Sequence, residues 1–162
     1  MAGRYSRYRS TKFILLLAGV CGCLTVLAPD PARAQLPAEL QLPDNPSPGD
    51  TVLVRALIDS SYEYSYSDPD RSIRFAEQAL RQSETLDFKE GIAGAHRELG
   101  YALSVKGDFR KALDHFKKGV AINRAMSDTL GILSHLSDIG SLYRKRSDYD
   151  RALEYFFQSL EL

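Results

Sequence analysis

Residues 106–119 read K-G-D-F-R-K-A-L-D-H-F-K-K-G, and residues 146–159 read R-S-D-Y-D-R-A-L-E-Y-F-F-Q-S. Asp108, Ala112, Leu113 and Phe116 thus recur, forty positions on, as Asp148, Ala152, Leu153 and Phe156. In the first copy Phe109, Ala112, Leu113, Phe116 and Val120 follow i, i+3, i+4, i+7 and i+11, one apolar stripe of an amphipathic helix. Tyr149, Ala152, Leu153, Phe156 and Leu160 repeat it. Asp108 and Asp148 stand where an N-cap carboxylate would accept the free amides of the first turn.

The repetition extends beyond these helices. Residues 91–122 align with 131–162 without a gap, and 7 of the 32 pairs are identical. Small and aromatic residues kept in register over that length mark a true repeat rather than a shared helical pattern. Residues 51–90 form a weaker copy, in which Asp68 takes the cap and Pro69 the first helical position, where its missing N–H costs nothing. Each unit holds two helices. Gly100 and Gly140 fall inside the first helix of their units, where glycine costs about 1 kcal/mol against alanine. Close packing is the expected compensation, the partner helix lying against the bare backbone at the glycine, with Ala112 and Ala152 as matching small contacts and Phe116 and Phe156 filling the space beyond.

Leu99-Gly100, Phe109, Ala112 and Phe116, repeated as Ile139-Gly140, Tyr149, Ala152 and Phe156, resemble the tetratricopeptide repeat signature. The resemblance spans residues 51–162 and is most specific in the second and third units. It implies an all-α fold, an α-solenoid of antiparallel helix hairpins wound as a right-handed superhelix. The three repeats are 51–90 (degenerate), 91–130 and 131–162 (truncated). The period of 40 exceeds the 34 residues usual in this family. It is similar to a longer-helix subclass whose first helix opens near a sequence such as Gly91-Ile92-Ala93. Gly119 and Ser159 depart from the pattern by replacing a second alanine, and the helix-ending proline is missing.

Catalytic chemistry finds little support. None of the three histidines, His96, His115 and His135, has a second ligand at a spacing that repeats, so no metal and no cofactor are expected. G-x-S-x-G, H-E-x-x-H and phosphate-binding glycine loops are absent from the sequence. The expected product is therefore a surface and not an enzyme. The resemblance places the first helix of each unit on the inner wall, at Val54, Leu57, Ser61, Tyr64 and Ser65 in unit one. In unit two the positions are Gly94, Arg97, Tyr101, Ser104 and Val105, and in unit three Ser134, Ser137, Ser141, Arg144 and Lys145. Leu57, Tyr64, Arg97, Tyr101, Ser104, Ser137, Ser141, Arg144 and Lys145 are the expected partner-binding groove, suited to an extended peptide or an acidic tail. Self-association through the C-terminal repeat is a further expectation, because a solenoid end without a polar cap exposes apolar surface.

The first 34 residues carry a different signal. Arg4, Arg7, Arg9 and Lys12 precede an uncharged run over 13–28, and Ala32-Arg33-Ala34 supplies a small-x-small cleavage pattern. Cleavage after Ala34 is the leading expectation. Lipidation at Cys23 in a lipobox-like Val20-Cys21-Gly22-Cys23, and an uncleaved signal anchor, remain alternatives that would attach the chain to a membrane. Residues 35–50 hold four prolines and read as an extended linker. Both cysteines precede residue 35, and residues 35–162 carry 16 basic against 20 acidic side chains. That net charge of about −4 opposes a nucleic-acid surface. The reading is an exported, periplasmic or extracytoplasmic, non-enzymatic scaffold that binds a protein or peptide. Its alternative, by resemblance, is the sensory front end of a membrane-bound histidine kinase or nucleotide cyclase.

Overall fold

The computed structural model describes residues 51–162, and the leader and linker readings of 1–34 and 35–50 lie outside them. Six α-helices follow one another: α1 (Thr51–Tyr64), α2 (Pro69–Thr85), α3 (Lys89–Val105), α4 (Phe109–Met126), α5 (Thr129–Lys145) and α6 (Tyr149–Leu160). They pair as three antiparallel hairpins. The second helices begin at residues 69, 109 and 149, so the 40-residue period of the sequence is also that of the structure.

Local chemistry starts these helices where the sequence indicates. The carboxylates of Asp68, Asp108 and Asp148 accept from the amides of Arg71, Lys111 and Arg151 at 3.0, 3.2 and 3.3 Å. Pro69 occupies the first turn of α2. Asp128 does the same for α5, accepting from the Gly131 amide at 3.0 Å, a cap that the comparison of repeats did not single out. Each such cap stabilises its helix by about 1 kcal/mol. Between α3 and α4 the chain reverses at Gly107, whose φ of 82° lies in the left-handed region that glycine adopts freely.

Every helix packs on its neighbour in sequence, and in addition α1 packs on α3 and α3 on α5. The odd-numbered helices thus form one layer with direct contacts from repeat to repeat. A stack of hairpins that is closer on one side curves, with that side inward. Val54, Leu57, Phe75, Ala79 and Ala95 make a core at the first hairpin. A larger core, including Phe116, Leu136, Ile139 and Tyr143, joins the second hairpin to the third.

Phe116 sets the spacing inside the second hairpin. It is 1% exposed, and its ring fills the space where a side chain at Gly100 would begin. Phe156 does the same at Gly140, where an added Cβ would lie 2.7 Å from the ring. The phenylalanine rings, expected in the space beyond the small contact, occupy the glycine notches themselves. Gly119, a departure from the repeat pattern, has its own reason, because the His135 ring sits where its Cβ would be.

On α6, Tyr149, Leu153, Phe157 and Leu160 are exposed. Their counterparts Phe109 and Leu113 on α4 pack against the core formed with α5. At Tyr149 and Leu153, α6 thus leaves exposed the positions whose counterparts on α4 are packed against α5.

Gly100→Ala tests the ring-in-notch contact. The alanine gains about 1 kcal/mol of helix propensity, against about 1–3 kcal/mol for overpacking. A net loss of about 1 kcal/mol in urea unfolding is expected. The same change in a Phe116→Leu background should be neutral or stabilising, since no ring then fills the notch.

Candidate binding groove

The inner faces of α3 and α5 come together around Asp138. This aspartate, its side chain 8% exposed, accepts from Arg97 Nε at 2.8 Å and from the hydroxyl of Tyr101. Arg97 also donates to the Tyr101 hydroxyl at 3.3 Å and lies over the Tyr101 ring, 5.3 Å from its centroid. Burial works against the Arg97 charge, but the hydrogen bond and charge of Asp138 more than offset it and hold the guanidinium protonated. Burial and then the hydrogen bond to Asp138 push the Tyr101 phenol up, so it remains a donor. Tyr101 in turn meets the Phe116 ring edge-on at 5.6 Å between centroids.

Beside this triad lies an open cavity of about 220 Å³, lined by Tyr66, Tyr101, Ser104, Ser141, Arg144 and Lys145 together with part of Asp138 and the core. Lys145 Nζ donates to Ser104 Oγ at 3.0 Å across the two hairpins. Arg144 and Lys145 are exposed at the end of α5. Aromatic, hydroxyl and cationic groups thus share one concave surface.

Five of the nine expected groove residues, Tyr101, Ser104, Ser141, Arg144 and Lys145, meet at this cavity. Leu57 does not: it is fully buried in the first core, as is Val54, because this side of α1 faces α2 and α3. Ser61 and Ser65 are buried as well. Tyr64 is half-buried, stacked on Phe75 at 5.7 Å and covered by the Arg71 guanidinium at 4.0 Å from its ring centroid. Ser137 is half-buried on α5 away from the cavity lining. Arg97 stands on the inner side, yet its charge is committed to Asp138, so it is a structural cation rather than a free one.

Tyr66 was missed, since it follows the last residue of α1 and falls outside the helical periodicity that located the others. Asp138 was missed for another reason. It aligns with Glu98, and an acidic residue inside a helix reads as a solvent-facing one.

The histidines also associate in a way their spacing did not reveal. His96 Nδ1 and His115 Nδ1 lie 3.0 Å apart across the second hairpin. Burial, then the nearby charge of His115, lowers the His96 pKa to about 4, so the ring is neutral near pH 7. Burial lowers that of His115 too. Among the described residues no group of three or more His, Cys, Asp or Glu side chains is placed to hold a metal ion.

Three stacked hairpins with odd helices in contact define an all-α solenoid of antiparallel helix pairs. Residues 91–162 match the tetratricopeptide repeat family. The crystal structure of the TPR domain of Arabidopsis FLU is similar with a TM-score of 0.60, covering 67% of this chain and 92% of that one at 19% identity, a likeness of fold. The photosystem I assembly protein Ycf3 of Acaryochloris marina (strain MBIC 11017) is 32% identical over 76 residues, 47% of this chain and 44% of that protein. The match therefore spans less than half of that relative's length.

Arg97→Met tests the triad. It leaves a carboxylate at Asp138 that is 8% exposed without its cation. A fully buried pair broken in this way costs roughly 3–5 kcal/mol. Because the Arg97 side chain keeps 38% of its exposure, a smaller loss of about 2 kcal/mol is expected in urea unfolding. Adding Asp138→Leu should recover most of it, and no recovery would show that the pair is not the cause.

Proposed function

We propose that residues 51–162 form a non-catalytic interaction module that holds an extended acidic peptide of a protein partner along the inner face of α3 and α5. The observation that carries this reading is the cavity joining Tyr66 and Tyr101 to Ser104, Ser141, Arg144 and Lys145. Carboxylates of a bound peptide would pair with Arg144 and Lys145, whose charges are not consumed inside the core. The two tyrosines offer flat apolar area at low entropic cost, and the serines offer adaptable hydrogen bonds. The fold supports the reading, since stacked hairpins present an extended concave wall suited to such ligands. Similarity to a protein named for photosystem assembly and to a TPR domain points the same way.

The measurement is titration of fluorescein-labelled Glu/Asp-rich peptides with a free C-terminal carboxylate. Arg144→Glu with Lys145→Glu should weaken binding at least about tenfold, or 1.4 kcal/mol, while the unfolding midpoint stays unchanged, as for most surface substitutions. Unaltered affinity rejects the groove. Arg97 is left untouched in this test because its reversal would unfold the triad.

Export belongs to the same proposal. The basic start, the uncharged run over 13–28 and Ala32-Arg33-Ala34 are the features that favour it. Intact mass of the chain recovered from an extracytoplasmic fraction should correspond to a start at Gln35. A mass retaining Met1, or a lipid-modified Cys23, would replace cleavage at Ala34 with anchoring.

A further inference from the structure

Repeat register pairs Glu98 of α3 with Asp138 of α5. Asp138 is satisfied by the hairpin before it, through Arg97 and Tyr101. Forty residues before Arg97 and Tyr101 stand Leu57 and Ser61, so at these register positions the first hairpin offers Glu98 neither a guanidinium nor a phenol. Leu57 is fully buried in the apolar core. Ser61 is buried too, its hydroxyl 3.0 Å from both the carbonyl and the hydroxyl oxygen of Ser72.

Glu98 is nonetheless 4% exposed, and its buried Oε2 has no hydrogen-bond partner among the described residues. Ile58 of α1 seats against Gly94, one turn before Glu98, so this side of α3 faces the first hairpin. The charged groups acting on the carboxyl are Arg97 of its own helix, Asp138 of α5 and Asp59 of α1. Arg97 is already bound to Asp138, and the two aspartates oppose a further negative charge. A buried carboxylate without a partner is costly, and the group responds by holding its proton.

We infer that docking of the first hairpin on the second is proton-dependent, with Glu98 as the switch. Neutral, the carboxyl stays buried on the side of α3 that faces the first hairpin. Ionised, it requires water, and loosening of the first hairpin at both its α1–α3 and its more extensive α2–α3 contact supplies it. Burial raises the Glu98 pKa from 4.5 to about 7, with Arg97 partly opposing and Asp138 and Asp59 adding to the rise. The docked state therefore binds the extra proton. Docking is fully supported below about pH 4.5, weakens as pH rises towards 7, and levels off above. His96 does not enter this balance, because its partner His115 belongs to the same hairpin and stays with it. One consequence rests on the groove reading: Tyr66, just after α1, would leave the cavity when the first hairpin separates.

The test is hydrogen exchange of α1 and α2 amides in the full chain at pH 6 and pH 8.5, corrected for intrinsic rates, with α5 amides as internal reference. Opening of the first hairpin should rise about tenfold relative to α5 in the wild type, and should not change in Glu98→Gln. Equal pH dependence in the variant, or none in the wild type, overturns the switch. A carboxyl carbon NMR titration of wild-type Glu98 gives an independent reading: a midpoint near 7 supports it, and one near 4.5 overturns it. Proton-dependent opening with no change in acidic-peptide affinity would keep the switch and remove its link to the groove.

Discussion

Seating the Phe116 ring in the notch at Gly100 is the contact on which the rest of the second hairpin depends. A mid-helix glycine is a standing cost, and only the missing Cβ lets α4 approach closely enough for the ring to be buried to 1% exposure. That ring then positions Tyr101 edge-on. Tyr101 donates to Asp138 on α5, and Arg97 completes the pair. A packing device inside one hairpin thereby fixes the polar contact between two hairpins. Because interiors are close-packed, a displaced ring would be felt as far as the inner wall of the solenoid.

The triad also sorts the cations of the groove into two kinds. Arg97 is held against a buried carboxylate, so its guanidinium stabilises the stack and is not available to an outside anion. Arg144 and Lys145 lie at the exposed end of α5, and Lys145 donates to the neutral hydroxyl of Ser104. Their charge remains free to meet a ligand, and solvent-exposed charges of this kind govern encounter and selectivity more than fold stability. Basic side chains in the last turn also complement the helix dipole of α5, so the proposed ligand contact would fall where these charges already favour the helix.

Period, caps and the pairing of glycine with phenylalanine were legible in the sequence because each depends on local chemistry that the repeat writes twice. Asp68, Asp108 and Asp148 cap as their positions indicate. Of the inner-wall positions that the resemblance implied in the second and third units, Tyr101, Ser104, Ser141, Arg144 and Lys145 share one cavity, while Ser137 lies away from it and Arg97 is bound to Asp138. The first unit was not legible: Leu57 and Val54 share the periodicity of groove residues, but in a degenerate repeat apolar side chains at those positions turn into the core. Asp138 and the His96–His115 pair were hidden because they are contacts between helices, and spacing along the chain does not report what a neighbouring helix presents.

What distinguishes one repeat from the next carries more information than what they share. Residues kept in both copies, such as Ala112 and Ala152 or Asp108 and Asp148, mostly pack or cap. Unlike pairs mark the places where the stack is not uniform. Gly119 against Ser159 admits the His135 ring at one junction, while Ser159 bonds its own helix at the Phe156 carbonyl, 2.7 Å away. Lys117 against Phe157 sets a solvated face beside an apolar one. Arg97 and Tyr101 against Leu57 and Ser61 satisfy one buried acid and leave an oxygen of its counterpart without a partner among the described residues. In a quasi-one-dimensional protein each interface adds its own term to stability. Neighbouring interfaces of one solenoid can therefore respond differently to pH, and the unpartnered Glu98 oxygen makes the junction of the first and second hairpins the one proposed to do so.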